Sequence, residues 1–196
     1  MANKVLLAEM DGTPKQICFA DHATDFNAPT AANDLRKTTD GSQESDCQLL
    51  LETLANAAYR QSTKVDLGAD RARRYAVRAA IEFAATPTAG NTVEFYWAPS
   101  HSATAGTGNP GGVSGADSAY TGYSSNAAAA IKQLQLIGIM VVTAQATGTV
   151  QIAECGEFEP SERYGSLVVL NNSGAALHSD SAEINIVFDP IVDEVQ

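Results

Sequence analysis

Three histidines, three cysteines and a run of four glutamates are the residues of this chain whose chemistry reaches beyond packing. His178 stands in ALHSDSAE beside Ser179 and Asp180, the residue types of a nucleophile, a base and its orienting acid. Such a set is defined by geometry and not by adjacency, and no GxSxG elbow occurs, so the residues read as a polar turn before the last strand. His22 lies beside Asp21, and His101 follows Pro99-Ser100. Glu154, Glu157, Glu159 and Glu162 supply the residue type that glycoside hydrolysis uses in pairs, or oxygen ligands for calcium. They surround Gly156 and Pro160 as a solvated turn does, and the DxDxDG order is missing. Cys18, Cys47 and Cys155 are far apart with no CxxC pair, which points to three free thiols and away from zinc or dithiol redox chemistry.

The stretch GTGNPGGVSGADSAYTGYSS, residues 106–125, has the glycines of a ligand-cradling loop. A phosphate loop needs Lys in GxxxxGK[ST], and here the run holds Asp117 and no basic residue. A dinucleotide fingerprint needs GxGxxG within a βαβ unit, and the spacing misses it. Trp97, Tyr96, Tyr120 and Tyr123 with Asp117 and Asn109 would suit a sugar face, whereas the alternation of Trp97 with Val93 and Phe95 assigns it to the core. Tyr120 and Tyr123 are the candidate contacts of a long excursion between strands. No cofactor, metal or catalytic set is expected, and the chain is not expected to be an enzyme.

The net charge is −11 and uneven. Residues 1–80 hold 10 basic and 11 acidic side chains, and residues 81–196 hold 2 and 12. An acidic C-terminal part repels phosphate backbones, so nucleic acid is a poor partner. Arg71, Arg73, Arg74 and Arg78 form a basic cluster, with Arg74 and Arg78 on one strand face with Glu82. Two readings stand: a surface for an acidic neighbour, such as another copy, or a solvated face with internal ion pairs. No apolar run reaches the roughly 18 residues of a membrane span, and the N-terminus lacks a secretory signal pattern, so use without export is expected.

Residues of these types need elements to hold them. Residues 1–60 read as an irregular N-terminal arm, punctuated by Gly12-Thr13-Pro14, Asn27-Ala28-Pro29 and Asp40-Gly41-Ser42, with one short helix over 45–60. Ser45 and Gln48 fit a capping box, and Cys47, Leu50, Leu51, Leu54 and Ala58 recur at helical spacing; Leu49, Leu51 and Thr53 alternate as a strand would. Residues 61–196 read as a mainly β domain, an antiparallel β-sandwich of jelly-roll-like type. YAVRAAIEF and TVEFYWA alternate with a period of two, as a hairpin or as strands of facing sheets. One helical turn is expected around Asn126–Lys132, then strands in LQLIGIMVV, TVQIAECGEF, SLVVLNN and AEINIVFDPIV.

The run RQSTKVDLGADRARRYAVRAAIEFAATPTAGNTVEFYWAPS, followed by NPGGVSGADSAYTGY, LQLIGIMVVTA and RYGSLVVLNNSGAALHSDSAEINIVFDPIVDEV, resembles a group of tailed-bacteriophage virion structural proteins. The resemblance covers roughly residues 60–196. It implies a β-sandwich component of a phage head, a decoration or cement protein that binds the major capsid protein and other copies of itself in a homo-oligomer on the virion surface. An arm of residues 1–44 would order on the shell, leaving a folded sandwich when deleted. The alternative is a receptor- or glycan-binding module of a tail, fibre or head–tail connector that uses the 99–125 loop.

Overall fold

The computed structural model describes residues 5–6, 14–23, 34–36, 44–69, 71–191 and 194–195. In chain order the strands are β1 (Val5–Leu6), β2 (Gln16–Ala20), β3 (Glu44–Gln48), β4 (Ala58–Gln61), β5 (Val65–Asp66), β6 (Arg74–Ile81) and β7 (Thr92–Ser100). They continue with β8 (Ser118–Ala119), β9 (Gln135–Val141), β10 (Gln151–Phe158), β11 (Tyr164–Asn172), β12 (Asn185–Ile191) and β13 (Glu194–Val195).

Period-two alternation drives the architecture. Tyr75, Val77, Ala79 and Ile81 of β6 are fully buried, as are Val93, Phe95 and Trp97 of β7. Facing strips of this kind close by packing two sheets together. One sheet runs β10-β6-β12-β2-β3 and the other β8-β4-β11-β7-β9, with β5 also on β11; β1 and β13 pair separately. The expected mainly β sandwich is therefore what forms. β6 and β7 lie in different sheets, which selects the facing-sheet alternative over the hairpin. Phe188 is the hub of the core, its ring centroid 4.7 Å from Phe19, 4.9 Å from Phe158 and 5.7 Å from Trp97. Each such aromatic contributes on the order of 2–3 kcal/mol by burial.

The described residues among the first 60 depart from the expected arm, while the turns expected at Gly12-Thr13, Asn27-Ala28-Pro29 and Asp40-Gly41-Ser42 lie outside the described residues. β2 sits between β12 and β3 and is buried on both faces, with Ile17 and Phe19 in the main core and Cys18 and Ala20 in a smaller cluster with Leu35, Ala80 and Val187. A strand covered on both sides needs no polar alternation, which is why QICFA carries no period-two signal. β2 and β3 pair in parallel, unlike the all-antiparallel pattern expected. The 23-residue connection over 21–43 is long enough for such a crossover.

The helix expected over 45–60 is absent. Ser45 pairs with Ile17 in the ladder, and Cys47, Leu49 and Leu51 all enter the core. Thr53 and Ala57 have φ of 52° and 62°, which breaks any helix. Core burial on a sheet edge overrides a weak local propensity. The helical turn does form downstream, at α1 (Ala127–Ala130), where the Asn126 side chain accepts from the Ala129 N–H.

Candidate functional site

The glycine-rich stretch forms a lid. Ala98 and Val168 point away from the main core, and Val113, Tyr120, Ala130, Ile131 and Leu134 cover them to make a second small core outside the six-stranded sheet. Gly111, at φ 64°, lets the chain pass where a Cβ would meet the Leu134 side chain at 2.8 Å. The Tyr120 hydroxyl donates to the Gly111 carbonyl at 2.7 Å.

Polar groups lock this lid from below. The Lys64 ammonium donates to Ser100 Oγ at 2.9 Å and to the carbonyls of Ser102, Thr104 and Thr107 at 3.0, 2.7 and 2.8 Å. Asp117, the acid that speaks against phosphate, takes Arg60 Nε at 2.8 Å and the Leu50 N–H at 3.3 Å. These contacts of Lys64, Ser100, Asp117 and Tyr120 hold the loop in its own shape.

The expected contact residues separate accordingly. Tyr120 is only 3% exposed and its hydroxyl is engaged, so it is a core residue and not a surface contact; the lid that its own glycines permit buries it. Tyr123 is 55% exposed and stays available. Trp97 is fully buried, as its alternation requires. Arg74 pairs with Glu157 at 3.3 Å and Arg78 with Asp189 at 3.1 Å, while Arg73 faces Glu159 at 3.6 Å. These pairs neutralise the basic cluster, which favours the internal-ion-pair reading for Arg74 and Arg78. Arg71 makes no ion pair among the described residues and lines an open hollow with Ala69, Ala72, Arg73, Glu159 and Pro160. His22 lies 3.6 Å from the Asp46 carboxylate, and the His101 ring lies where a Cβ on Gly108 would stand. None of the three histidines meets a serine hydroxyl and an acid in a triad among the described residues.

The thiols match the expectation of free cysteines. Burial pushes Cys47 and Cys155 up to about 12 and raises Cys18 as well, which disfavours the thiolate in each.

One surface went unread in the residues. β9 is the edge of the six-stranded sheet and β10 the edge of the five-stranded sheet. The two edges meet at paired register shifts: a Cβ on Gly138 would stand 3.1 Å from Cys155, and one on Gly156 would stand 2.7 Å from the Ile137 carbonyl oxygen. Beside this seam Leu136, Ile139, Val141 and Ile152 are between 40% and 61% exposed. Leu136, Ile139 and Val141 lie opposite Tyr96, Glu94 and Thr92, on the outer face of the sheet. The detectable signal was negative: no charged residue occurs anywhere in 133–153. Edge strands ordinarily carry lysine or another charge against unwanted pairing.

No family model matches the chain, and no curated protein sequence matches it. No helix of the described residues is long and apolar enough to cross a membrane.

Proposed function

We propose that the chain is a non-catalytic structural protein of a tailed-phage particle, a decoration or cement subunit that holds to the major capsid protein. The observation that carries this reading is the uncharged edge strand β9, whose Leu136, Ile139 and Val141 are exposed, with Ile152 of β10 exposed as well, in a chain of net charge −11. A group of exposed aliphatics on an uncharged sheet edge is the surface type that a permanent partner covers. The lid points the same way, since a glycine-rich loop with its polar groups turned inward supports a rigid surface and no substrate site. The resemblance of residues 60–196 to virion proteins supplies the kind of partner. The glycan-binding alternative loses one of its two tyrosines to the core.

The first test is the molar ratio of this chain to the major capsid protein in purified particles, by quantitative mass spectrometry. A simple fraction near one supports a shell-wide subunit, and absence from particles overturns the reading. The second test is rebinding of purified protein to particles stripped of it. Wild type is expected to rebind and Ile139→Glu to fail while keeping its fold; equal rebinding by the variant removes the seam as the docking surface.

A further inference from the structure

The outer face of β6 and β10 pairs most of its charges internally and leaves one of each sign over. Arg74 pairs with Glu157 at 3.3 Å, and Arg78 with Asp189 at 3.1 Å. Glu154 lies opposite Arg78 in the ladder, yet it is exposed and makes no ion pair among the described residues. Beyond the far end of β10, Arg71 is half-buried and makes no hydrogen bond or ion pair among the described residues. It borders a hollow of about 430 Å³ with apolar walls at Ala72, Pro160 and Ile191. Arg73 and Glu159, on the same hollow, face each other at 3.6 Å, so Arg71 is its one unmatched charge. A guanidinium over an open hollow presents planar N–H donors that fit a carboxylate, and the apolar walls suit the methylenes behind it.

The two spare charges are placed symmetrically. Glu157 stands midway along the chain between Glu154 and Pro160. At ~3.3 Å per residue, Glu154 and the Pro160 wall lie about 10 Å to either side of it. A two-fold axis crossing β10 at Glu157 exchanges these positions. Glu154 of each copy then meets the Arg71 hollow of the other, and one patch serves both partners, as a closed dimer requires. The Arg74–Glu157 pair falls at the axis, with side chains 39% and 50% exposed, free to exchange partners with its own copy.

We propose that the outer face of β6 and β10 is a homodimer interface, in which Glu154 of one copy inserts into the Arg71 hollow of the other. Charge complementarity selects a second copy as the occupant: both spare signs sit on one chain, at the spacing that a two-fold operation needs. The rest of this sheet face is closed off, since Leu35 packs with Cys18, Ala20, Ala80 and Val187. The exposed aliphatics of β9 belong to the other sheet, so the inference is independent of the particle role proposed above.

The test is sedimentation velocity of the full chain, without particles, at low ionic strength over a wide concentration range. Wild type is expected to form a dimer that added salt weakens. Arg71→Glu and Glu154→Arg are each expected to weaken it about tenfold or more, because each sets like charges together at both contacts of the dimer. An equal mixture of the two variants is expected to restore association, since every contact again joins an acid to a base. Glu154 is exposed, so Glu154→Arg is expected to keep the wild-type melting temperature; if Arg71→Glu disturbs the fold, the loss in Glu154→Arg and its rescue by Arg71→Gln, which removes the like charge, decide instead. A wild type that stays monomeric, a dimer that neither reversal weakens, or folded variants whose mixture fails to associate would overturn the proposal.

Discussion

The ammonium of Lys64 lies 2.9 Å from the hydroxyl of Ser100, and that hydroxyl in turn donates to the Thr107 carbonyl at 2.9 Å. The long loop after β7 is therefore closed on a single cation. Lys64→Met keeps the stem and deletes the charge. It is expected to lower stability by about 1–2 kcal/mol, the worth of charge-assisted hydrogen bonds at a partly exposed site. Urea unfolding measures the loss, and limited proteolysis is expected to cut the variant within residues 101–109 first. An unchanged cleavage pattern there would show that the loop holds without Lys64.

Gly165 lies against the indole of Trp97, and a Cβ at this position would fall inside the ring's own contact distance. Its φ is not in the left-handed region, so sterics alone exclude a side chain. Gly165→Ala is expected to cost about 1–3 kcal/mol by overpacking, with Trp97 fluorescence shifted toward the red as the ring is displaced. A neutral substitution with unchanged fluorescence would refute the close packing.

The two tyrosines of the glycine-rich loop are expected to part company. Tyr120→Phe removes the hydrogen bond to the Gly111 carbonyl for about 1 kcal/mol, and Tyr120→Ala costs about 3 kcal/mol through the cavity as well. Tyr123→Ala changes stability by less than about 0.5 kcal/mol, being a surface substitution. Thermal unfolding of the three variants orders them; a Tyr123→Ala as damaging as Tyr120→Ala would contradict the burial of the one and the exposure of the other.

Deleting residues 1–44 removes β2 from between β12 and β3. The sequence reading as a detachable arm predicts a folded remainder, whereas the structure predicts the loss of cooperative unfolding. Circular dichroism and a denaturant melt decide between them, and a sharp two-state transition in the truncated chain would restore the arm.

Glu82 gives a pH signature. Its carboxyl is held above the unfolded value of 4.5, first by burial. The folded state therefore binds more protons than the unfolded state between that value and the folded one. The contribution to stability is fully present below 4.5 and is lost as pH rises through the raised value. Melting temperatures of wild type and Glu82→Gln across this acid range are expected to diverge, the wild type falling relative to the variant as pH rises; parallel curves would remove Glu82 as a titrating group.

The sheet faces were largely legible. Tyr75, Val77, Ala79 and Ile81, and then Val93, Phe95 and Trp97, announce their strands because one side of each meets the core and the other does not. β2 was illegible for the opposite reason, since a strand buried on both sides has no alternation to read. The segment around Cys47 and Leu51 satisfies a helical and a strand spacing at once, and only the open edge beside β2 decides it. Tyr120 and Glu82 look like surface residues because what covers them comes from distant segments: the lid over one, and the His178 turn over the other. The exposed seam left only an absence of charge as its mark.

The position of β12 has a consequence for biosynthesis. It lies between β2 and β6, so both of those strands lack a neighbour until residues 185–191 have been made. A ribosome that has delivered the first 160 residues holds a nascent chain that still lacks Leu167, Val169, Ile186 and Phe188 of the main core. The five-stranded sheet closes only near the end of translation, which makes the emerging chain a natural client for holding chaperones and sets a slow, late folding step.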